Sequence, residues 1–294
     1  MAPARLRTAR GFTLRLPFRP PLDWTGLLAF LAPRAIPGVE AVVEGTWRRI
    51  TRDGDLIEAT RADGEPFVQL RVEGSARADT DDLVARARRL LDLGADPQAI
   101  ASHLRRDPLL SRRLAARPGV RVPGAWDPFE LAVRAVLGQQ VSVRAASTLA
   151  GRLVQAFGRP LSAPRAGLTH RFPTARALAR ADARRIGLPR ARAATLCRLA
   201  AAVRDRHLVL DGSAALSETM ARLLSIPGIG EWTAQYVAMR ALGEPDALPA
   251  GDLGLRKALA TGGAPASPKT VLARAQAWRP FRAYAAILLW EVRG

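Results

Sequence analysis

The 294-residue sequence contains a single cysteine, Cys197. One thiol excludes an intramolecular disulfide, a thiolate zinc site and a four-cysteine iron–sulfur cluster within one chain. The three histidines are scattered without metal-ligand spacing. No apolar run approaches the length of a membrane span, and the short apolar run at 27–31 is not that of a signal peptide. We therefore expect a cytoplasmic protein without a membrane segment or a side-chain metal site.

Lysine is nearly absent, and acidic residues are outnumbered. Only Lys257 and Lys269 are lysines, so almost all of the 45 basic residues are arginines, against 26 acidic residues. The formal net charge of +19 suits a polyanionic partner such as nucleic acid. A GC-rich genome also encodes many arginines, so composition assigns no individual arginine to binding. The excess of positive charge still favours a nucleic-acid-binding protein.

The apolar pattern changes near residue 75. Before it, alternating apolar residues at 12–16 and in four later segments predict strands, with one helix that begins after Asp23. After it, capping residues and helical spacing predict consecutive helices. We predict an α+β fold, with a small antiparallel sheet in an N-terminal domain (1–78) and a helical body (79–294).

The most informative segment is Leu224–Ala234, with the sequence LSIPGIGEWTA. Its Pro-Gly-Ile-Gly turn separates two stretches with helical spacing, which predicts a helix-hairpin-helix motif at 219–240. Glycines permit positive φ angles and let backbone amides at the start of the second helix approach a phosphate. Such a hairpin would hold DNA by its backbone without reading the sequence. The alternative is a plain connector between two helices.

A lone acid, Asp252, follows the hairpin in the segment LPAGDLGLRK. Its default interpretation is the N-cap of a helix at 253–259. Beside a DNA-binding hairpin, however, an acid on the following segment can supply chemistry at the nucleotide that the hairpin presents.

Residues 224–259 resemble the signature of the helix-hairpin-helix DNA glycosylases, and the whole chain is similar to the bacterial 3-methyladenine DNA glycosylase II group. The segments at 20–24 and 31–35 extend the resemblance into the N-terminal domain. The resemblance implies an all-helical body of two lobes with the active site between them. It also implies that Asp252 is the essential acid and that the partner is double-stranded DNA with alkylated bases.

The resemblance implies roles for residues around the hairpin as well. The expected DNA-binding residues are Gly228, Ile229, Gly230 and Thr233. No cofactor is implied, although the family often holds a monovalent cation on hairpin carbonyls. We expect a monomer.

The base pocket implied by the resemblance consists of Trp232, Tyr236, Trp290 and Phe30. Trp232 and Tyr236 are four residues apart and so share one helix face, and an aromatic face attracts a cationic base. For each, core packing is the alternative. Trp232 stands where related bifunctional enzymes carry a nucleophilic lysine, and an indole cannot form a Schiff base. We therefore predict no strand-cutting lyase activity.

The segment 136–142 resembles the loop that fills the gap left by a flipped nucleotide, so Gln139 and Gln140 are expected to contact DNA. Gln140 replaces a leucine of the enterobacterial pattern, and a polar side chain makes an apolar wedge doubtful. The alternative is a loop that only caps the next helix through Ser142. Leu253 replaces an aromatic residue, so the substrate range stays open.

From these features we expect a monofunctional glycosylase that excises alkylated purines, 3-methyladenine and 7-methylguanine, during base excision repair. One alternative is excision of an uncharged lesion such as hypoxanthine, uracil or 8-oxoguanine. Another is a non-catalytic, damage-sensing DNA binder in which Asp252 is only a cap. Arg240, Arg256 and Lys257 are further candidates for contact with the DNA backbone, with a solvated-surface or structural role as the favoured alternative for each.

Overall fold

The computed structural model describes residues 5–8, 11–61, 64–74, 79–260 and 262–290, with side chains from residue 11 onward. An antiparallel sheet comes first and a predominantly helical body follows, which confirms the predicted α+β class. Within the described residues, no helix is long and apolar enough to cross a membrane.

The N-terminal sheet has the strand order β1-β2-β6-β5-β4-β3, and all neighbouring strands are antiparallel. Alternating side chains of β2 are buried, as the apolar pattern predicts. The strands are β1 Arg5–Thr8, β2 Gly11–Pro17, β3 Glu40–Val43, β4 Thr46–Ile50, β5 Leu56–Arg61 and β6 Phe67–Glu73.

Two helices cover this sheet. Helix α1, Trp24–Leu31, begins at Asp23, whose carboxylate accepts a hydrogen bond from the Gly26 amide at 2.8 Å. Helix α2, Thr80–Leu90, adds its apolar side chains to the core of the sheet. Core packing thus continues into the helical part of the chain. The domain boundary predicted after residue 78 falls in 75–78, outside the described residues, and stays a prediction.

The helical body has two cores, each of which defines a lobe. The hairpin lobe contains α5 Pro128–Leu137, α6 Val143–Phe157, α7 Ala175–Leu178, α8 Arg190–Arg204, α9 Leu216–Leu224 and α10 Glu231–Arg240. The C-terminal lobe contains α3 Pro97–Leu104, α4 Pro108–Ala116, α11 Leu253–Ala258, α12 Pro268–Arg274 and α13 Arg282–Leu289. Helix α10 contributes side chains to both cores and therefore lies where the lobes meet.

The body is not entirely helical, contrary to the prediction. Strands β7, Arg159–Arg165, and β8, Leu168–Arg171, form an antiparallel hairpin within the hairpin lobe. Two prolines in β7 disfavour a helix, and positive φ angles at Ala166 and Gly167 make the turn. The buried Leu168 packs with residues of the N-terminal sheet. The lobe is thereby attached to the sheet.

A second attachment joins α5 to the sheet. Asp127 caps α5 by accepting hydrogen bonds from the amides of Phe129 and Glu130. The Glu130 carboxylate accepts hydrogen bonds from the Arg49 guanidinium of β4, the shorter at 2.9 Å. Desolvation raises the pKa of Glu130 to about 7, although the charge of Arg49 lowers it in part.

Candidate active site

A cleft of about 640 Å³ lies between the two helical lobes. Helix α10 of the hairpin lobe contributes Trp232 and Tyr236 to its lining. The C-terminal lobe contributes Asp252, Lys257 and Trp290. This volume is within the range of about 300–1,000 Å³ typical of small-molecule sites. The structure therefore brings the predicted acid and three of the predicted aromatic residues to one cleft.

The Asp252 carboxylate has two sets of hydrogen-bond donors. Its Oδ1 accepts from the amides of Gly254 at 2.8 Å and Leu255 at 3.1 Å, so Asp252 is the N-cap of α11, as the default interpretation predicts. The same carboxylate accepts from Trp290 Nε1 at 2.8 Å and from Trp232 Nε1 at 3.2 Å. These indoles come from different lobes, Trp232 from α10 and Trp290 from the end of α13. The cap and a position on the cleft are therefore compatible.

Three aromatic side chains form a wall of this cleft. The rings of Trp232 and Tyr236 are stacked, with centroids 5.3 Å apart and an interplanar angle of 16°. The rings of Tyr236 and Trp290 lie 6.2 Å apart. All three residues are only partly buried, unlike the other tryptophans of the chain, which pack in cores. This wall offers a flat surface to a base.

Phe30 is placed differently from the other predicted pocket residues. It is 1% exposed and does not line the cleft. Its ring stacks on Trp290 at 6.0 Å, and the Arg34 guanidinium lies 3.7 Å from its centroid. In this structure Phe30 supports the wall, and any contact with a base stays a prediction.

Two arginines at the cleft are not among the site residues predicted from the sequence. Arg34 and Arg134 both line the cleft, and desolvation lowers the pKa of Arg34 and that of Arg134, the latter to about 10. Desolvation alone would raise the pKa of Tyr236, but the charges of Arg240 and Arg34 outweigh it and lower that pKa. Because arginine is so frequent in this chain, no sequence signal distinguishes these residues.

Arg240 was a candidate for contact with DNA, yet it is 3% exposed. Its guanidinium donates to the carbonyls of Pro123 and Gly124, at 2.6 and 3.0 Å, and to the Tyr236 hydroxyl at 2.7 Å. Arg240 is therefore structural, which agrees with the alternative favoured for it from the sequence, because the helix that carries it lies between the lobes.

The other two candidate cations are in different surroundings. Arg256 donates from Nε to the Ala266 carbonyl at 2.7 Å, which ties α11 to the following loop. Lys257 is exposed and lines the cleft. Contact of either residue with DNA stays a prediction.

The hairpin turn depends on one of its two glycines. Gly228 has a φ of +94°, and a Cβ atom there would collide with the Thr195 hydroxyl. Gly230 has a φ of −103°, which any residue adopts, and a Cβ atom there would meet open space. The positive φ angle that glycine permits is therefore adopted at Gly228 and not at Gly230.

The hairpin presents main-chain donors at its surface. Within the described residues, the amides of Gly228 and Gly230 donate no hydrogen bond. The Ile229 amide already donates to the Ile226 carbonyl at 2.9 Å, and the side chains of Ile229 and Thr233 are buried. Contact of these four predicted residues with DNA stays a prediction, and the amides of Gly228 and Gly230 are available for it.

The loop between α5 and α6 is bonded to the hairpin. The amide nitrogen Nε2 of Gln139 donates to the Gly228 carbonyl at 2.9 Å and to the Thr233 hydroxyl at 3.0 Å. Gln140 is exposed, with a φ of +56°. Ser142 caps α6 by accepting from the Ala145 amide, so the capping alternative holds for this residue. The loop and the hairpin form one surface beside the cleft.

Comparison with known proteins identifies the parts of the chain. The family model described as AlkA N-terminal domain matches residues 13–127. The model described as HhH-GPD superfamily base excision DNA repair protein matches residues 133–283. The two matches together span most of the sheet and of both lobes, whereas β1 and Trp290 lie outside them.

Several relatives resemble the whole chain. It is 33% identical over 285 residues to DNA-3-methyladenine glycosylase 2 of Escherichia coli, covering 95% of this chain and 97% of that protein. It is 44% identical over 284 residues to a Mycobacterium tuberculosis protein called probable bifunctional transcriptional activator/DNA repair enzyme AlkA, covering 95% of this chain. The chain spans only 56% of the length of that mycobacterial relative.

Among solved structures, the 3-methyladenine DNA glycosylase from Archaeoglobus fulgidus superposes with a TM-score of 0.80 at 26% identity. The match covers 94% of this chain and 96% of the archaeal one. The overall fold is thus shared with that protein. The chain belongs to the HhH-GPD superfamily of base excision DNA repair proteins, and within it resembles the bacterial 3-methyladenine DNA glycosylase II group.

Proposed function

We propose that this chain is a monofunctional DNA glycosylase that excises alkylated purines, chiefly 3-methyladenine and 7-methylguanine, from duplex DNA. The observation that carries the proposal is the position of Asp252. Its carboxylate lines a cleft between the two lobes and accepts hydrogen bonds from two indoles. In the sequence, Asp252 follows a hairpin whose Gly228 and Gly230 amides donate no hydrogen bond within the described residues. The names of the Escherichia coli and Archaeoglobus relatives support the substrate class.

The proposed reaction begins when the damaged nucleotide leaves the duplex and its base stacks on the aromatic wall. The bond between C1′ and the base nitrogen then breaks, and its electron pair leaves with the base. Asp252 stabilises the positive charge that develops on the sugar. A water molecule adds its oxygen to C1′ and loses a proton to solvent. An alkylated purine is cationic, so it departs as a neutral base without a general acid.

The absence of lyase activity belongs to the same proposal. The position of the nucleophilic lysine in bifunctional relatives is Trp232, whose indole donates to Asp252. Lys257 nevertheless lies at the cleft, although its place in the sequence does not match that lysine. Borohydride treatment of the protein with damaged DNA should trap no covalent adduct. An adduct that disappears in Lys257→Gln would overturn this part of the proposal and identify the amine.

The experiment that tests the function measures bases released from methylated duplex DNA by the wild type and by Asp252→Asn. Loss of the carboxylate should slow release about 100- to 1,000-fold or more. Binding to duplex DNA should be retained, because the hairpin is unchanged and asparagine still caps α11. DNA binding without base release by the wild type would favour the damage-sensing alternative. Normal release by Asp252→Asn would refute the role of the acid.

A second candidate substrate class is favoured by one observation. The guanidinium groups of Arg34 and Arg134 line the cleft, and Nη1 of Arg134 has no hydrogen-bond partner within the described residues. Cationic donors repel a cationic base and can donate to the acceptors of an uncharged one, such as hypoxanthine. The ratio of hypoxanthine to 3-methyladenine release should therefore fall in Arg34→Gln. An unchanged ratio would remove this candidate.

The remaining features are proposals of the same kind. We propose a monomer in the cytoplasm that uses no cofactor. Within the described residues, no group of three or more His, Cys, Asp or Glu side chains is arranged to hold a metal. A monovalent cation at the hairpin would have to be held by backbone carbonyls. Those of Pro227 and Gly228 already accept hydrogen bonds from Thr195 and Gln139.

A further inference from the structure

The charges of the chain are unevenly distributed. Residues 131–204 contain fourteen arginines but only one of the 26 acidic residues of the chain, Asp182. A compositional bias explains abundant arginine but not the exclusion of acids from a quarter of the chain. Most of the fourteen make no side-chain hydrogen bond or ion pair with the residues that the structure describes. Exceptions such as Arg184 and Arg204 pair with a neighbouring acid.

Part of this positive surface adjoins the hairpin. The Thr195 hydroxyl of α8 donates to the Pro227 carbonyl of the hairpin turn at 2.9 Å. Arg192 and Arg198 are three residues before and after Thr195, which places each about 4.5 Å along the helix axis from it. Arg198 is exposed and Arg192 is partly exposed. These two arginines therefore flank the point at which α8 touches the hairpin.

The surface continues to the cleft along α6. Arg144 is exposed and follows Ser142, which lines the cleft, by two residues. Arg152, two turns later, has its Nη1 only 3.3 Å from where a Cβ atom of Gly187 would lie. Gly187 comes three residues before Arg190, the first residue of α8. The arginines thus form a path from the rim of the cleft to the hairpin.

Helix stability does not account for this placement. Arg144, Arg190 and Arg192 are in the first turns of α6 and α8, where the helix dipole disfavours positive charge. Neither helix has an acid in its first turn, whereas α2 and α10 have one there, as the dipole favours. Side chains that folding disfavours and that lack protein partners suit an external anion.

We propose that Arg144, Arg152, Arg190, Arg192 and Arg198, called the arginine track, bind backbone phosphates of duplex DNA that flanks the lesion on one side of the hairpin. Charge complementarity and continuity with the hairpin identify the partner as duplex DNA. This inference rests on the proposed function, because the hairpin must be on DNA for the track to reach it. The track adds affinity without base specificity.

The test uses Arg192→Gln/Arg198→Gln and a matched control, Arg105→Gln/Arg106→Gln. The control arginines are exposed, make no side-chain hydrogen bond or ion pair in the described part of the chain, and follow α3 in the other lobe. Both double variants lower the net charge equally. The measurement is fluorescence anisotropy with duplex DNA that contains a tetrahydrofuran abasic analogue, between about 50 and 200 mM salt.

We expect the track variant to bind about 10-fold more weakly at low salt and to reduce the slope of log Kd against log salt by about 1 to 2. The control should keep the wild-type slope. Truncating the duplex on one side of the lesion should abolish the difference in Kd between the track variant and the wild type. Truncating it on the other side should leave that difference unchanged.

Three results would refute the proposed role of the arginine track. They are an unchanged slope of log Kd against log salt in the track variant, an equal loss of affinity in the control variant, or an equal effect of truncating the duplex on either side of the lesion. These outcomes leave the proposed function intact if the wild type releases methylated bases. Failure of the wild type to release any base would instead remove the proposed function. Unfolding curves for both variants establish that the fold is retained.

Discussion

The two lobes on either side of the cleft differ in what they contribute. The hairpin lobe carries the glycine turn, the loop around Gln139 and most of the unpaired arginines. The C-terminal lobe carries Asp252 and Trp290, on helices packed around an apolar core. The hairpin lobe therefore supplies the groups proposed to bind DNA, and the C-terminal lobe supplies the acid.

Neither lobe contains a complete site. The Asp252 carboxylate accepts one hydrogen bond from Trp290 of its own lobe and another from Trp232 of the hairpin lobe. Tyr236, stacked on Trp232, also contacts Trp290. The proposed base excision therefore depends on how the two lobes pack against each other. A change in that packing would misplace Asp252 even if each lobe stayed folded. Substitutions in each lobe separate the contribution of the hairpin lobe from that of the C-terminal lobe.

The largest effect should come from the indole donors. Trp290→Phe and Trp232→Phe each remove one N–H that Asp252 accepts, and a hydrogen bond to a charged group contributes about 1.5–3 kcal/mol. We expect base release under single-turnover conditions to slow about 10- to 100-fold in Trp290→Phe, and less in Trp232→Phe because its bond is longer. The reverse order would mean that the hairpin lobe, rather than the C-terminal lobe, positions the acid.

The two hairpin glycines form a matched pair. Gly228→Ala forces a side chain into a left-handed backbone and against Thr195, so it should weaken DNA binding about 10- to 30-fold and lower stability. Gly230→Ala has room and an ordinary φ, so unfolding should be unaffected. Anisotropy and thermal unfolding of both variants check this. Equal stability of the two variants would contradict the assigned role of Gly228.

The attachment of the C-terminal lobe should depend on pH. Asp92, which follows α2, accepts hydrogen bonds from the Tyr284 hydroxyl of α13 at 2.9 Å and from the Val122 amide at 3.1 Å. Desolvation raises the pKa of Asp92 to about 6. The folded state then holds a proton that the unfolded chain has lost, so this carboxyl lowers the free energy of unfolding as pH rises from about 4 to about 6.

Asp92→Asn removes that titration. The free energy of unfolding of Asp92→Asn, relative to wild type, should therefore increase by roughly 2 kcal/mol between pH 4 and pH 7. Denaturant unfolding at several pH values measures the difference. A constant difference across this range would show that the Asp92 carboxyl titrates alike in the folded and unfolded states.

The smallest effect should come from the bond between loop and hairpin. Gln139→Ala removes donors to Gly228 and Thr233, at a cost of about 1 kcal/mol. Base release at limiting enzyme should slow about 5-fold, which corresponds to that energy. Gln140→Ala is the comparison, because it removes an exposed neighbour and leaves the bond in place. Normal release by Gln139→Ala would mean that the loop is positioned by Ser142 and α6 alone.

Local patterns predicted much of this arrangement. The hairpin, the cap formed by Asp252 and the shared face of Trp232 and Tyr236 depend on residues within about one helical turn of each other, so the sequence contains the information. The burial of Phe30 and Arg240 depends on neighbours far along the chain. The strands β7 and β8 were missed because their pairing is stabilised by the N-terminal sheet.

The sequence by itself determined which chemistry the chain carries: a positive charge excess, a glycine turn, an acid at a helix start and a few aromatic residues in helical register. Only the tertiary structure decided that indoles 20 and 38 residues from Asp252 meet on its two carboxylate oxygens, and that Arg34 and Arg134 face the same cleft. The physical reason is range. Caps and periodicity act over a few residues, whereas the site is assembled by the packing of two separate cores across one seam.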